Sequence, residues 1–150
     1  LIGSDFKLFF KKNGFLKDLS TIIKIKKSQI FYLVLVQPKV KCSTKEIYSK
    51  VKKFSKKKKF DKNLTKSKGR FLKYLVNSRN DLQSIVENKY PIIKKLLIDI
   101  KNEKGCCFSR MTGSGSVCYG LFKDQIVAKK ALKKLRYKYP RFWFSFAKTV

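Results

Sequence analysis

The sequence predicts an α+β fold, a ferredoxin-like split βαβ arrangement in which four antiparallel strands form one sheet with helices on one face and extra helices inserted. Three observations predict it. Runs rich in β-branched and aromatic residues occur at Phe31-Tyr32-Leu33-Val34-Leu35-Val36, on both sides of Gly113-Ser114-Gly115, and at Phe142-Trp143-Phe144-Ser145-Phe146-Ala147. Segments with apolar residues at helical spacing lie between the first and second run and again before the last. The order from Phe31 onward is therefore β, α with additional helices, β, β, α, β, the split βαβ pattern.

Each element has a local reason. The first strand is stopped by Gln37-Pro38, and Ser43-Thr44-Lys45-Glu46 then matches a capping box, in which the serine caps one N–H and the glutamate reaches back to another. Ile47, Val51 and Phe54 make one apolar face of the helix that follows. From Ser55 to Arg70 lysine dominates, and the stretch reads as a Lys-rich loop at about 55–70. Helices are expected at Phe71 to Val76, around Leu82, Ile85 and Val86 with Asn80 or Asp81 as cap, and from Pro91 through Ile92, Ile93, Leu96, Leu97 and Ile100, with Gly105 just beyond its end. Cys106-Cys107-Phe108 and Val117-Cys118-Tyr119 belong to the two strands that flank the glycine loop. Asp124 is placed to cap a helix whose inner face is Val127, Ala128, Ala131, Leu132 and Leu135, and Pro140 separates it from the aromatic last strand.

At 150 residues and 43% hydrophobic the chain can build one core, burying about two-thirds of its unfolded surface. The 38 Lys+Arg against 9 Asp+Glu give +29, so nonspecific polyanion binding is expected on charge alone. Specific nucleic-acid recognition is not expected: the basic residues are overwhelmingly lysine, and Arg70, Arg79, Arg110, Arg136 and Arg141 are scattered. The four cysteines lack CxxC spacing and histidine is absent, which disfavours a zinc site or a disulfide framework and fits a reduced, cytoplasmic setting. No apolar run approaches the ~20 residues that span a bilayer, so no membrane partner is expected. The sole methionine is Met111, and the chain reads as the C-terminal part of something longer.

The stretch Arg110-Met111-Thr112-Gly113-Ser114-Gly115-Ser116, followed by Cys118-Tyr119-Gly120-Leu121-Phe122, resembles the third motif of the GHMP-type small-molecule kinases, which sits in a ferredoxin-like C-terminal domain. Pro38 through Tyr48 is similar to a substrate-binding segment of one branch of that family, Asn80-Asp81-Leu82 is a shorter match, and Gly3-Ser4-Asp5-Phe6-Lys7-Leu8-Phe9-Phe10 resembles the Gly-Ala-Asp-Val-Pro-Phe-Phe stretch that carries the family's catalytic aspartate. Lys7 stands where the family has proline, and Phe6 is bulkier than the usual valine.

The resemblance implies that residues 1–30 are the tail of a preceding catalytic, ATP-binding domain and that residues 31–150 are the GHMP kinase C-terminal domain. It implies a kinase of isoprenoid biosynthesis that uses ATP with Mg²⁺ and takes a small-molecule cytidine diphosphate substrate, with the ATP-binding loop outside this chain. Asp5 would be the catalytic carboxylate, Thr44 and Tyr48 would bind substrate, the tyrosine stacking on cytosine, and Gly113, Ser114 and Gly115 would form an active-site loop. No residue is assigned as a metal ligand. Read from their own neighbours, the same positions have plainer roles: Asp5 is a turn residue near a terminus, Thr44 a helix-start residue, Tyr48 an amphipathic edge residue, the glycines a tight hairpin, and Arg110 a surface residue. Another GHMP kinase, of the homoserine or mevalonate type, and a basic ferredoxin-like RNA-binding module stand as alternatives.

Overall fold

A computed structural model of the chain describes residues 14–16, 21–24, 29–56 and 61–149. In chain order the elements are β1 (Gly14–Leu16), β2 (Ile22–Lys24), β3 (Tyr32–Gln37), α1 (Thr44–Ser49), a 3-10 helix (Lys62–Lys66), α2 (Lys68–Val76), α3 (Gln83–Lys89), α4 (Pro91–Asn102), β4 (Cys106–Met111), β5 (Cys118–Phe122), α5 (Gln125–Lys138) and β6 (Trp143–Lys148). They fall into two compact units, one drawing its described residues from 14–30, 61–77 and 149, the other comprising 31–56 and 78–148.

In the first unit β1 and β2 pair antiparallel. The 3-10 helix starts where the Asp61 carboxylate accepts the Asn63 N–H at 2.8 Å, and α2 starts where the Ser67 hydroxyl accepts the Arg70 N–H at 3.4 Å. Ordered turns thus run through part of the lysine-rich stretch, and the helix expected from Phe71 begins three residues earlier, because Ser67 supplies a cap. The Gln29 amide donates to Thr65 O at 2.8 Å and Thr149 Oγ1 donates to Gln29 O at 2.9 Å, which ties the ends of this unit together.

The second unit carries the ferredoxin-like sheet. Its strand order is β4-β5-β3-β6, and every neighbouring pair is antiparallel. Helix α4 packs on β4 and β5, α5 packs on β3, β5 and β6, and the two helices touch. The apolar spacing dictates this. Ile93, Leu96, Leu97 and Ile100 of α4 and Ala128, Ala131 and Leu135 of α5 are buried against Val34, Val36, Cys118, Phe122 and Phe144 of the sheet. Each large side chain so buried stabilises the fold by roughly 1.5–3 kcal/mol. Pro91 opens α4, where its missing N–H is no loss, and Asp124 caps α5 by accepting the Val127 N–H at 2.8 Å. Gly120 lets α4 lie close on β5: a Cβ there would stand 2.5 Å from Ile100 Cγ2.

Two local expectations are corrected. Helix α1 ends at Ser49, so Phe54 is not part of its apolar face; Ile47 is fully buried and Val51 packs on the core, while Phe54 is 58% exposed. Only half of the capping box forms, since Ser43 accepts the Glu46 N–H at 3.4 Å while the Glu46 carboxylate pairs with Lys89 and, at 3.0 Å, with Lys50. A paired charge outcompetes a reach back to the backbone in so lysine-rich a chain. Among the described residues no helix is long and apolar enough to cross a membrane.

Candidate functional site

The β4–β5 connection is a compact loop closed by its own backbone. Thr112 N–H donates to Val117 O at 2.9 Å, and Gly115 N–H donates to Thr112 O at 3.1 Å. Gly113 and Gly115 both take positive φ, 53° and 93°. At Gly115 the demand is steric as well: a Cβ would lie 3.0 Å from both Cys42 Sγ and Met111 Sδ. The loop therefore lies against the segment entering α1, and the N–H of Gly115 is used inside the loop.

Helix α1 meets this loop at its first residue. Thr44 Oγ1 and Ser114 Oγ share a hydrogen bond at 2.8 Å, across 70 residues of sequence. Tyr48 lies one turn further along the same face of α1 and is 51% exposed, lining a cleft of about 490 Å³ with Phe54, Arg79, Arg110, Thr112 and Gly113. Five residues singled out by the sequence thus gather at one end of the second unit: Thr44, Tyr48, Gly113, Ser114 and Gly115. Asp5, with the rest of Gly3 to Phe10, lies outside the described residues.

The start of α3 closes the other side of the cleft. Neither Asn80 nor Asp81 is the N-cap residue; that position is Leu82, with no side-chain cap bond. Asn80 instead accepts the Leu82 N–H at 3.0 Å through Oδ1, and its amide donates to Met111 O at 2.9 Å and Gly113 O at 2.8 Å. Asp81 accepts the Ser55 N–H at 2.8 Å and pairs with Arg79 Nε at 3.1 Å. The Ser55 hydroxyl and N–H, with Arg79 beside them, hold the Asp81 carboxyl below the usual carboxylate range. Lys89, and then Lys50, do the same for Glu46.

Arg110 is more than a surface residue: it donates from Nη2 to Ser78 O and stacks over Phe108, 4.6 Å from the ring centroid. With Phe54 it is a cleft residue that sequence reasoning missed. Nothing in the local sequence placed Phe54 at the cleft, because its spacing from Ile47 and Val51 fits a longer helix than the one that forms. All four cysteines are free thiols, and burial pushes Cys118 up to about 12 and Cys106 up to about 11. Among the described residues no three His, Cys, Asp or Glu side chains converge to hold a metal ion. An open cleft with an exposed tyrosine, an exposed phenylalanine and guanidinium groups is suited to a ligand that joins a flat ring to an anionic group.

The family described as GHMP kinases C terminal matches residues 57–141, and the chain belongs to that family. Among its relatives, the 4-diphosphocytidyl-2-C-methyl-D-erythritol kinase of Pelagibacter ubique (strain HTCC1062) is 36% identical over 150 residues, which are 99% of this chain and 52% of the relative. The enzyme of the same name from Anaplasma phagocytophilum (strain HZ) is 31% identical over 97% of this chain and 49% of its own length. A crystal structure of 4-(cytidine 5'-diphospho)-2C-methyl-D-erythritol kinase superposes with a TM-score of 0.63 at 18% identity, covering 85% of this chain and 46% of that one, a likeness of fold. The chain spans about half the length of the curated relatives it matches.

Proposed function

We propose that this chain supplies the C-terminal part of an ATP-dependent kinase that phosphorylates the 2-hydroxyl of 4-diphosphocytidyl-2-C-methyl-D-erythritol. The observation that carries the reading is the Thr44–Ser114 hydrogen bond, which joins the expected substrate segment to the expected active-site loop and leaves Tyr48 open to the cleft one turn away. The names of the relatives at 36% and 31% identity support the same substrate. In this reading Tyr48 offers its ring to the cytosine, Thr44 its hydroxyl beside it, and Gly113, Ser114 and Gly115 form the floor of the site. Asp5 takes the proton of the substrate hydroxyl as its oxygen bonds to the γ-phosphorus of ATP and the bond from that phosphorus to the ADP oxygen breaks. Positioning and charge carry most of such a transfer, which suits a site built from a rigid loop and a short capped helix. The setting is cytoplasmic, and ATP with Mg²⁺ is held by residues outside this chain.

The test is γ-phosphate transfer from ATP to 4-diphosphocytidyl-2-C-methyl-D-erythritol by the 150-residue chain and by the complete gene product. The expected result is turnover by the complete product, lost in Asp5→Asn, and none by the chain alone. Turnover by the isolated chain contradicts its being only part of the machinery. Transfer to homoserine or mevalonate in preference to the cytidyl substrate contradicts the substrate.

A further inference from the structure

Two adjacent side chains at the start of α3 tie down both walls of the cleft, and neither takes part in the proposed chemistry. Asn80 grips the glycine loop: its amide donates to Met111 O at 2.9 Å and to Gly113 O at 2.8 Å, while its Oδ1 accepts the Leu82 N–H at 3.0 Å. Asp81 grips the opposite wall, accepting at Oδ2 both the N–H of Ser55 at 2.8 Å and its hydroxyl at 2.6 Å. Arg79 braces that grip, since its Nε lies 3.1 Å from Asp81 Oδ1 and donates to Ser55 Oγ at 3.0 Å. Ser55 directly follows Phe54, whose exposed ring lines the cleft, and Gly113 lines it from the other side.

A residue that served only the helix start would need one of these bonds, the one that the Leu82 N–H donates to Oδ1. The two amide donors of Asn80 instead bridge 31 and 33 residues of sequence, and the Asp81 carboxylate bridges 26. The chemistry is specific at each position. Two carbonyl oxygens call for a side chain with two donors, which asparagine has and aspartate lacks; an N–H and an O–H on one oxygen are held more strongly by a charged acceptor, which aspartate supplies and which also pairs with Arg79.

The geometry points to Asn80 and Asp81 as positioning residues that fix the spacing between the glycine loop and the segment carrying Phe54, and so set how tightly the cleft holds the cytidine diphosphate part of the substrate. The identity of the ligand rests on the function proposed above; the positioning does not.

The experiment compares wild type, Asn80→Asp and Asp81→Asn by amide hydrogen exchange and by titration with cytidine diphosphate followed by NMR. Asn80→Asp keeps the acceptor for Leu82 and the side-chain volume, and sets a carboxylate against two carbonyls. It is expected to speed exchange at the Thr112 and Gly115 amides about tenfold and to weaken cytidine diphosphate about tenfold, with the α5 amides unchanged. Asp81→Asn is expected to speed exchange at Ser55 and weaken the ligand while leaving Thr112 and Gly115 at the wild-type rate. Unchanged exchange at those two loop amides in Asn80→Asp, or a loosened loop with undiminished affinity, overturns the inference. If Asn80→Asp does not fold, the Asp81→Asn arm decides: wild-type exchange at Ser55 with wild-type affinity overturns it. If wild type does not bind cytidine diphosphate, the proposed substrate fails, and the exchange rates still decide whether the two residues position the walls.

Discussion

Ser55 is anchored to Asp81 through two groups at once, its backbone N–H and its hydroxyl, both reaching the same carboxylate oxygen at 2.8 and 2.6 Å. The bonds are stronger to an ionised Asp81, whose pKa is lowered first by the serine hydroxyl, then by the serine N–H, with Arg79 adding to both. A depressed folded-state pKa contributes stability that is present above the unfolded value of about 4 and is lost as pH falls through the folded value. The Ser55 amide is therefore expected to keep its shift and its protection down to pH about 4 and to lose both on further acidification, with the transition absent in Asp81→Asn. NMR of the Ser55 amide across that range checks it.

The two loop glycines differ in what they tolerate. Gly115→Ala meets both a φ of 93° and contacts of 3.0 Å to Cys42 Sγ and Met111 Sδ. Its expected cost is about 2–3 kcal/mol in urea denaturation. Gly113→Ala has a φ of 53° but nothing within 4 Å of the new Cβ, so about 1 kcal/mol is expected. Equal costs would show that the contact with Cys42 and Met111 does not constrain the loop.

Tyr48 is half-exposed and outside the buried core, so Tyr48→Ala is expected to change stability by less than about 0.5 kcal/mol. If the ring stacks on cytosine, the same substitution weakens cytidine diphosphate by roughly 10- to 100-fold, and Tyr48→Phe restores most of it. Calorimetry of unfolding and an NMR titration separate the two effects.

Cys118 is fully buried on β5, and burial pushes its thiol up to about 12. Thiolate is the reactive form, so Cys118 is expected to resist iodoacetamide at pH about 8 until the protein unfolds. Mass spectrometry with and without urea checks this; labelling at equal rates in both contradicts the burial.

The fold was legible in the sequence because its strands and helices announce themselves at both levels. Val34 and Val36 alternate toward the core, α4 repeats its apolar residues at helical spacing behind Pro91, and Asp124 marks the start of α5. The candidate site was legible in pieces: Thr44, Tyr48 and Ser114 are named by the resemblance, but not the meeting of Thr44 with Ser114, since a hydrogen bond across 70 residues has no local signature. Asn80 and Asp81 read as helix caps because their residue types suit that role. The competing partners, Met111, Gly113 and Ser55, are brought to them only by the tertiary fold. Phe54 was misplaced because α1 stops at Ser49, and Asp5, the proposed proton acceptor, lies outside the described residues.

A titration of the labelled 150-residue chain with cytidine diphosphate, followed residue by residue at low and high salt, tests whether the cleft beside Tyr48 binds the cytidyl group. Shifts are expected to concentrate at Thr44, Tyr48, Phe54, Gly113 and Ser114 and to persist when salt screens the surface charge. Shifts spread over surface lysines such as Lys130, Lys133 and Lys134 of α5, matched by any polyanion and abolished by salt, would contradict it.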